Sequence, residues 1–319
     1  MTGKMKCPMR WQHAVLSLWI CTSAFGDLAA DRPFLLKLDE KPQVKKTDFD
    51  YPFLLAETAR AFPDAAPKMT EKLIAFLKQD ALPYRGHFSK EGLVSGKIDA
   101  KHLALPEIVT SGKQLEGIRK CSLDYCLMKL SRAEKKTLEG ATDKVTTFRE
   151  VVATRVRGFI ERNELMGYEE RKADKETVKK MFPLLPFLKL RYPLSLGYIN
   201  GGFWEGKTPP AGFKGSFFRQ ELVNISHDKL QPIWRIGEVL HFQEKDTDVF
   251  YEIFPYSNHY LDSSFRVYEV MPREKGSTVI LTDVMEIDEL TKSGIIRVLY
   301  KGTMQDAVSH VQAEELESM

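Results

Sequence analysis

Residues 264–287, SFRVYEVMPREKGSTVILTDVMEI, carry the reading on which the fold turns. Two runs rich in β-branched and aromatic residues, 264–271 and 278–287, flank the turn-forming segment Pro272-Arg-Glu-Lys-Gly276-Ser277. Runs of this composition read as strands, and so short a connection makes them antiparallel neighbours. Upstream, the same texture recurs at 216–225, 233–242 and 249–254. Downstream, Ile296, Leu299, Tyr300, Met304, Ala307, Val308 and Val311 fall on one face of a single long helix over 293–315, with Gly302 as a point of bending. The expected class is therefore α+β: an antiparallel sheet holding a long C-terminal helix across residues 191–319, preceded by a mainly helical insertion or N-terminal region.

Near Arg191 lysine-rich helical sequence gives way to this aromatic and β-branched half, which marks a domain or layer boundary. Before it, residues 113–190 read as mainly helical. Ser131-Arg-Ala-Glu134 fits a capping box and Gly140 interrupts the helix it starts. Beyond that break, Phe148, Val152, Val156, Phe159 and Ile160 form the stripe of a helix buried on one side. A helical stretch over 176–190 is broken by Pro183 and Pro186. Residues 27–112 read as an α+β segment that can supply the sheet's first strand and helix. Its strand-like run is 34–38, and its helix is 68–79, with Met69, Leu73, Phe76 and Leu77 on one face. Residues 82–110 are irregular with short strands.

Residues 1–26 read as a signal peptide. Lys4, Lys6 and Arg10 precede an apolar run from Trp11 to Phe25 that ends in Ala24-Phe25-Gly26, a small-x-small cleavage pattern. A retained signal anchor is the alternative reading, and either one predicts a periplasmic or secreted protein with scope for peripheral envelope association. The whole chain has 47 basic and 44 acidic residues, and without Lys4, Lys6 and Arg10 it has 44 of each. A neutral mature chain lacks the electrostatic footprint of a nucleic-acid binder. Of the four cysteines, Cys121 and Cys126 lie outside the signal, and in an oxidising compartment they make a local disulfide. No second cysteine pair or nearby histidine completes a zinc set, and C-x4-C is not the C-x-x-C of a thioredoxin-like site.

The series of antiparallel strands closed by one long apolar-faced helix, over about 191–315, resembles the helix-grip arrangement of START-like proteins, the superfamily of polyketide cyclases, lipid carriers and Bet v 1 relatives. The chain also resembles a group of uncharacterised exported bacterial proteins. That likeness rests on Cys121-x4-Cys126 followed by Lys129-Leu130, on Gly167-Tyr168, and on His259-Tyr260-x-Asp262. The START-like resemblance implies a first strand and helix ahead of the others, which makes 80–190 a large helical insertion, and it implies a cavity between sheet and helix.

An exported carrier of a hydrophobic or amphipathic small molecule, with no cofactor, is the function this points to. Trp234, Tyr251, Tyr268, Tyr300 and Met304 are the expected ligand-lining residues, although aromatics of this kind equally build an ordinary β core. The densest chemically able cluster is Tyr256-Ser-Asn-His259-Tyr260-Leu-Asp262-Ser263. As an enzyme, His259 would act as general base, Asp262 would fix its tautomer and Tyr260 would donate to an oxyanion. As structure, the same residues tie down a connection between strands, the reading favoured because no nucleophile motif accompanies them. A third alternative makes 113–190 an envelope protein-interaction module. No metal set is predicted, because His87, His102, His227, His241 and His310 lack ligand spacing. Gly197-Tyr-Ile-Asn-Gly201-Gly202 lacks the context of a nucleotide loop and reads as a turn.

Overall fold

The computed structural model describes residues 42–46, 53–85, 88–89, 92–93, 101, 103, 112–162, 181, 185–223, 232–259, 261–287 and 295–319. The expected signal peptide, the strand-like run 34–38, Gly167-Tyr168 and Tyr260 lie outside these residues.

The hairpin predicted from 264–287 is present as β9 (Leu261–Pro272) and β10 (Ser277–Ile287), paired antiparallel from Ser277↔Pro272 onward. Gly276 closes the turn at φ 89°, and its carbonyl accepts from Arg273 N at 3.1 Å. A Cβ there would lie 2.0 Å from the Phe62 carbonyl oxygen, so only glycine serves. The other three predicted strands are β6 (Phe213–Val223), β7 (Ile233–Glu244) and β8 (Thr247–Ser257), each longer than the sequence pattern indicated.

Two strands near the N-terminus join them. β2 (Phe53–Phe62) pairs with β10 along ten residues, and β3 (Ala81–Arg85) pairs with β6. With β1 (Gln43–Lys46) outside β2, the sheet is eight-stranded in the order β1-β2-β10-β9-β8-β7-β6-β3, antiparallel throughout. The run expected to supply the strand ahead of the helix, 34–38, lies outside the described residues, and that strand is FLLAETARAF at 53–62. Its Leu, Ala, Glu and Arg content favours helix, and burial between β1 and β10 overrides that preference. Residues 88–89 and 92–93 form a separate two-stranded ladder, β4 and β5.

Helix α1 (Ala66–Leu77) follows β2 and buries Met69, Leu73 and Leu77 on the sheet. The long C-terminal helix α7 runs Ile295–Ser318 and lies on the same face, buried there at Met304, Gln312 and Leu316. A strand and helix ahead of the main series, and a helix closing it, is the order the resemblance implied.

The opposite face is covered by the helical segment: α2 (Gly112–Arg119), α3 (Arg132–Glu139), α4 (Lys144–Arg162), α5 (Pro186–Arg191) and α6 (Pro193–Gly197). A π-helical turn at Tyr198–Gly202 replaces the simple turn expected of the glycines there. Phe148, Val152, Val156 and Phe159 are fully buried, packed in one core with Trp234, Ile236, Tyr251, Ile253 and Phe265 of the sheet. The apolar stripe of α4 is therefore core, and it offers no surface to an envelope partner.

Cys121 and Cys126 are joined by a disulfide. The five-residue separation closes a tight loop in which Ser122 N donates to Tyr125 O at 2.7 Å, so the bridge shapes a turn. The capping box also forms: Ser131 N donates to Glu134 Oε2 at 2.6 Å and Glu134 N to Ser131 Oγ at 3.4 Å. The same Glu134 oxygen receives the buried Arg155 of α4 at 2.5 Å, tying the two helices together. Ser131→Ala should lower stability by about 1 kcal/mol in urea unfolding, with an unchanged m-value.

Candidate functional site

Side chains alternate across a strand, so every second residue of the sheet faces α1 and α7. On the central strands this inner face is charged. Arg219 of β6 forks Glu252 of β8, Nε to Oε1 at 2.7 Å and Nη2 to Oε2 at 2.9 Å. Arg266 of β9 donates from Nε to Asp283 of β10 at 2.8 Å and from Nη1 to Glu221 of β6 at 2.6 Å. Arg235 of β7 donates from Nε to the second oxygen of Glu221, and its guanidinium lies over the Phe254 ring, 3.9 Å from the centroid. The Tyr268 hydroxyl accepts from Arg219 at 3.2 Å and from Arg266 at 3.1 Å, and donates to Glu315 of α7 at 2.6 Å.

A second polar link holds α7 beside the first. Gln312 donates to Asp283 Oδ2 at 3.0 Å and to the Ala56 carbonyl at 3.2 Å, while accepting from Thr58 at 2.8 Å. Gly237 makes room for this layer. A Cβ at that position would lie 2.6 Å from Glu252 Oε1 and 2.9 Å from Phe254. Opposite it, β8 carries one extra residue between Ile253 and Tyr256, a bulge that sends Phe254 to the charged face and Tyr256 to the helical one.

Three guanidiniums thus meet four carboxylates beneath α7, mostly buried, with Glu221 at the margin still partly exposed. Burial opposes ionisation of Glu221, yet Arg235, Arg266 and Arg219 together hold its carboxyl far below the ordinary range. Burial raises the Glu315 carboxyl, with Arg266 resisting and Glu221 adding to the rise. When Glu315 is protonated, the charges of the layer balance.

Two spaces adjoin this layer. At the β6 edge an open cleft of about 540 Å³ lies between the end of α1, β6 and the end of α7, with Phe76, Leu222, Val223 and Val311 as apolar walls and Arg219, Glu221 and Glu315 as floor. Under α7 lies a chamber of about 20 Å³, walled by Ile233, Leu261, Met285, Met304 and Val308, with Arg235, Arg266 and Asp283 at its base. That is room for a water-sized group. Val223 and Val311 line both spaces and so form the partition between them.

Of the expected ligand residues, Tyr268 and Met304 are on the inner face. Trp234 and Tyr251 face the helical layer instead. Trp234 packs edge-on against Tyr256 at 5.6 Å and lies 6.3 Å from Phe148, and the Tyr251 hydroxyl is 2.9 Å from Ser195 Oγ. Neither can line a cavity under α7, since each is on the wrong parity of its strand. Tyr300 lies on α7, and its side chain is outside the described residues.

His259 is buried where β8 passes to β9. Burial pushes its ring pKa down to about 4, partly offset by a hydrogen bond with the Leu127 backbone, while Lys129 adds to the fall. Next to it Asn258 accepts from Trp234 N at 2.7 Å, donates to Gln114 at 3.0 Å and presents its carbonyl to Lys129 N at 2.9 Å. The segment docks the disulfide loop and α2 onto the sheet. Asp262 is on β9, with its side chain outside the described residues, and Tyr260 is outside them altogether. A His–Asp pair does form elsewhere: His241 Nε2 lies 2.7 Å from Asp248, whose other oxygen accepts from Thr70 of α1 at 2.9 Å. Among the described residues, no group of three or more His, Cys, Asp or Glu side chains is placed to hold a metal ion.

The charged layer was missed at the sequence level. Its signal is present, as polar side chains set into otherwise apolar strands: Arg219-x-Glu221, Arg266-x-Tyr268 and, singly, Arg235, Glu252 and Asp283.

No family model matches the chain, and no curated protein matches it. Among solved structures it is similar to a START superfamily protein from Mycobacterium smegmatis at 9% identity, covering 45% of this chain and 90% of that one, with a TM-score of 0.18. Similar figures hold for Ara h 8.0201 (8% identity, 46% and 89% coverage, TM-score 0.14) and for the ginseng major latex-like protein 151 from Panax ginseng (11%, 46% and 90%, TM-score 0.14). Likeness at this level transfers no residue and no activity.

Proposed function

We propose that this protein binds an amphipathic small molecule between the sheet and α7, entering at the β6 edge, and that it does so outside the cytoplasm after export directed by residues 1–26. The supporting observation is the cleft of about 540 Å³, which combines apolar walls with a charged floor and abuts the inner chamber across Val223 and Val311. This volume lies within the range of small-molecule sites, and a mixture of apolar surface with a few fixed polar groups is the usual lining of one. The START-like order of strands and closing helix agrees with this use of the space beneath α7. The enzyme reading gains no comparable support, because His259 is buried against the Leu127 backbone and the adjacent Asn258 is a structural tie.

Native mass spectrometry of the purified protein, followed by organic extraction, should reveal one bound amphiphile per chain. Val311→Trp fills the partition and should weaken binding of a fluorescent amphiphile about tenfold or more, equal to about 1.4 kcal/mol, without changing the circular dichroism. A wild-type protein that neither carries nor binds an amphiphile, or a Val311→Trp variant that binds as well as wild type, would refute the reading.

A further inference from the structure

The charges under α7 do not pair off evenly. Arg219 is matched by Glu252, Arg266 by Asp283 and Arg235 by Glu221. Glu315 is the carboxylate left over: one of its oxygens accepts from Tyr268, and the other lies 3.3 Å from Arg266, which already serves Asp283 and Glu221. Its side chain is only 7% exposed, yet it lines the cleft at the β6 edge. A buried carboxylate without a cation of its own is costly until a proton or a positive charge reaches it. The rest of the cleft has the same sign. Asp80 and Glu314 border it, Glu314 lying 3.1 Å from His310 on the outer side of α7, while Arg219, the one basic lining residue among those described, is committed to Glu252. Two nearby cations are held elsewhere and do not line the cleft: Lys78 lies over the Phe217 ring, 5.5 Å from its centroid, and Arg60 donates to the Leu316 carbonyl at 2.7 Å.

We propose that the ligand is an amphipathic cation whose ammonium head group sits in the cleft on Glu315, between Asp80 and Glu314, with its apolar part against Phe76 and Leu222. This rests on the binding reading above and names the class of ligand. The head group supplies the positive charge that the fourth carboxylate lacks, so that three guanidiniums and one ligand meet four carboxylates. A carboxylate or phosphate head group would instead meet Glu315, Asp80 and Glu314 with no uncommitted cation among the described lining residues, and an uncharged one would leave Glu315 as it was. The open cleft of about 540 Å³ admits a group as wide as trimethylammonium, and the aromatic wall at Phe76 suits a quaternary nitrogen.

Isothermal titration of the full chain, freed of bound lipid, with decyltrimethylammonium, decanol and decanoate below their micelle concentrations tests this. Decyltrimethylammonium should bind about tenfold more tightly than decanol, and decanoate about tenfold more weakly, the scale of one partly screened ion pair. The whole chain has 47 basic and 44 acidic residues, so its net charge opposes this order and cannot produce it. Glu315→Gln keeps an oxygen for Tyr268 and removes the charge. It should erase most of the preference for the cation while leaving decanol binding in place, and Asp80→Asn, at an exposed position, should remove a smaller part. If the wild type binds all three equally, prefers decanoate or co-purifies with an anionic amphiphile, the cation is wrong and the binding reading stands. If it binds none of them, and no amphiphile co-purifies, both fall. An undiminished preference for the cation in Glu315→Gln also overturns the assignment. The comparison of ligands on the wild type needs no variant to fold.

Discussion

Replacing Glu252 with alanine should destabilise the protein by about 3 kcal/mol, because buried Arg219 loses the carboxylate that accepts two of its donors and keeps only Glu221, at 3.2 Å, as a carboxylate partner. That is a large share of the roughly 5–15 kcal/mol that holds a typical domain folded, so the variant should unfold at much lower urea or fail to accumulate. Removing both partners is the informative control. A double change of Arg219 and Glu252 to Met and Leu removes both partners of the pair and should recover much of the loss, since a buried ion pair often gives little net stability over apolar residues of similar volume. If Glu252→Ala costs less than about 1 kcal/mol, the pair is not buried as described. Urea unfolding followed by tryptophan fluorescence measures all three proteins.

The second large effect is a dependence on pH that originates at His259. Its folded pKa, about 4, lies below the ordinary value of 6.5, so between these values the unfolded chain binds a proton that the folded chain excludes. The contribution is therefore complete above pH 6.5 and is lost as the pH falls toward 4, amounting to about 3 kcal/mol at one pKa unit per 1.36 kcal/mol. Glu221 has the same sign at lower pH, its contribution declining as the pH falls below the carboxylate range, whereas Glu315, with a raised pKa, acts in the opposite sense. His259→Phe keeps a ring in the site and cannot take the proton. Its stability should be nearly flat from pH 6.5 to 4.5 where the wild type declines, and parallel curves for the two proteins would exclude this origin.

Legibility in the sequence depended on which residues carried unambiguous signals. The β9–β10 hairpin was legible because Gly276 and Pro272 punctuate two strongly β-forming runs, and α4 because its apolar spacing fits only a helix. The strand at 53–62 was not legible, since its composition favours helix and only its partners β1 and β10 make it extended. The inner face of α7 was half legible. Met304 and Val308 declared themselves, but Gln312 and Glu315, which hold the helix to the sheet, look like the solvent side of a helix until the arginines beneath them are known. The candidate site was hidden for the same reason. Aromatic residues drew attention to Trp234 and Tyr251, yet parity places them on the helical side, while many of the groups on the α7 side are charges that in a sheet open to solvent would face outward.

Covering the sheet on both faces also constrains how its strands can align. In a sheet with one wet face, sliding a strand by a single residue exposes apolar groups to water and leaves the polar ones to be accommodated. Here neither face is tolerant. Shifting β9 by one position would turn Arg266 into the apolar layer around Phe148 and Trp234 and turn Phe265 or Val267 toward Glu221 and Glu315. Misalignment is penalised on both sides at once, so the buried charges act as the alignment code of the strands as well as the floor of the cleft.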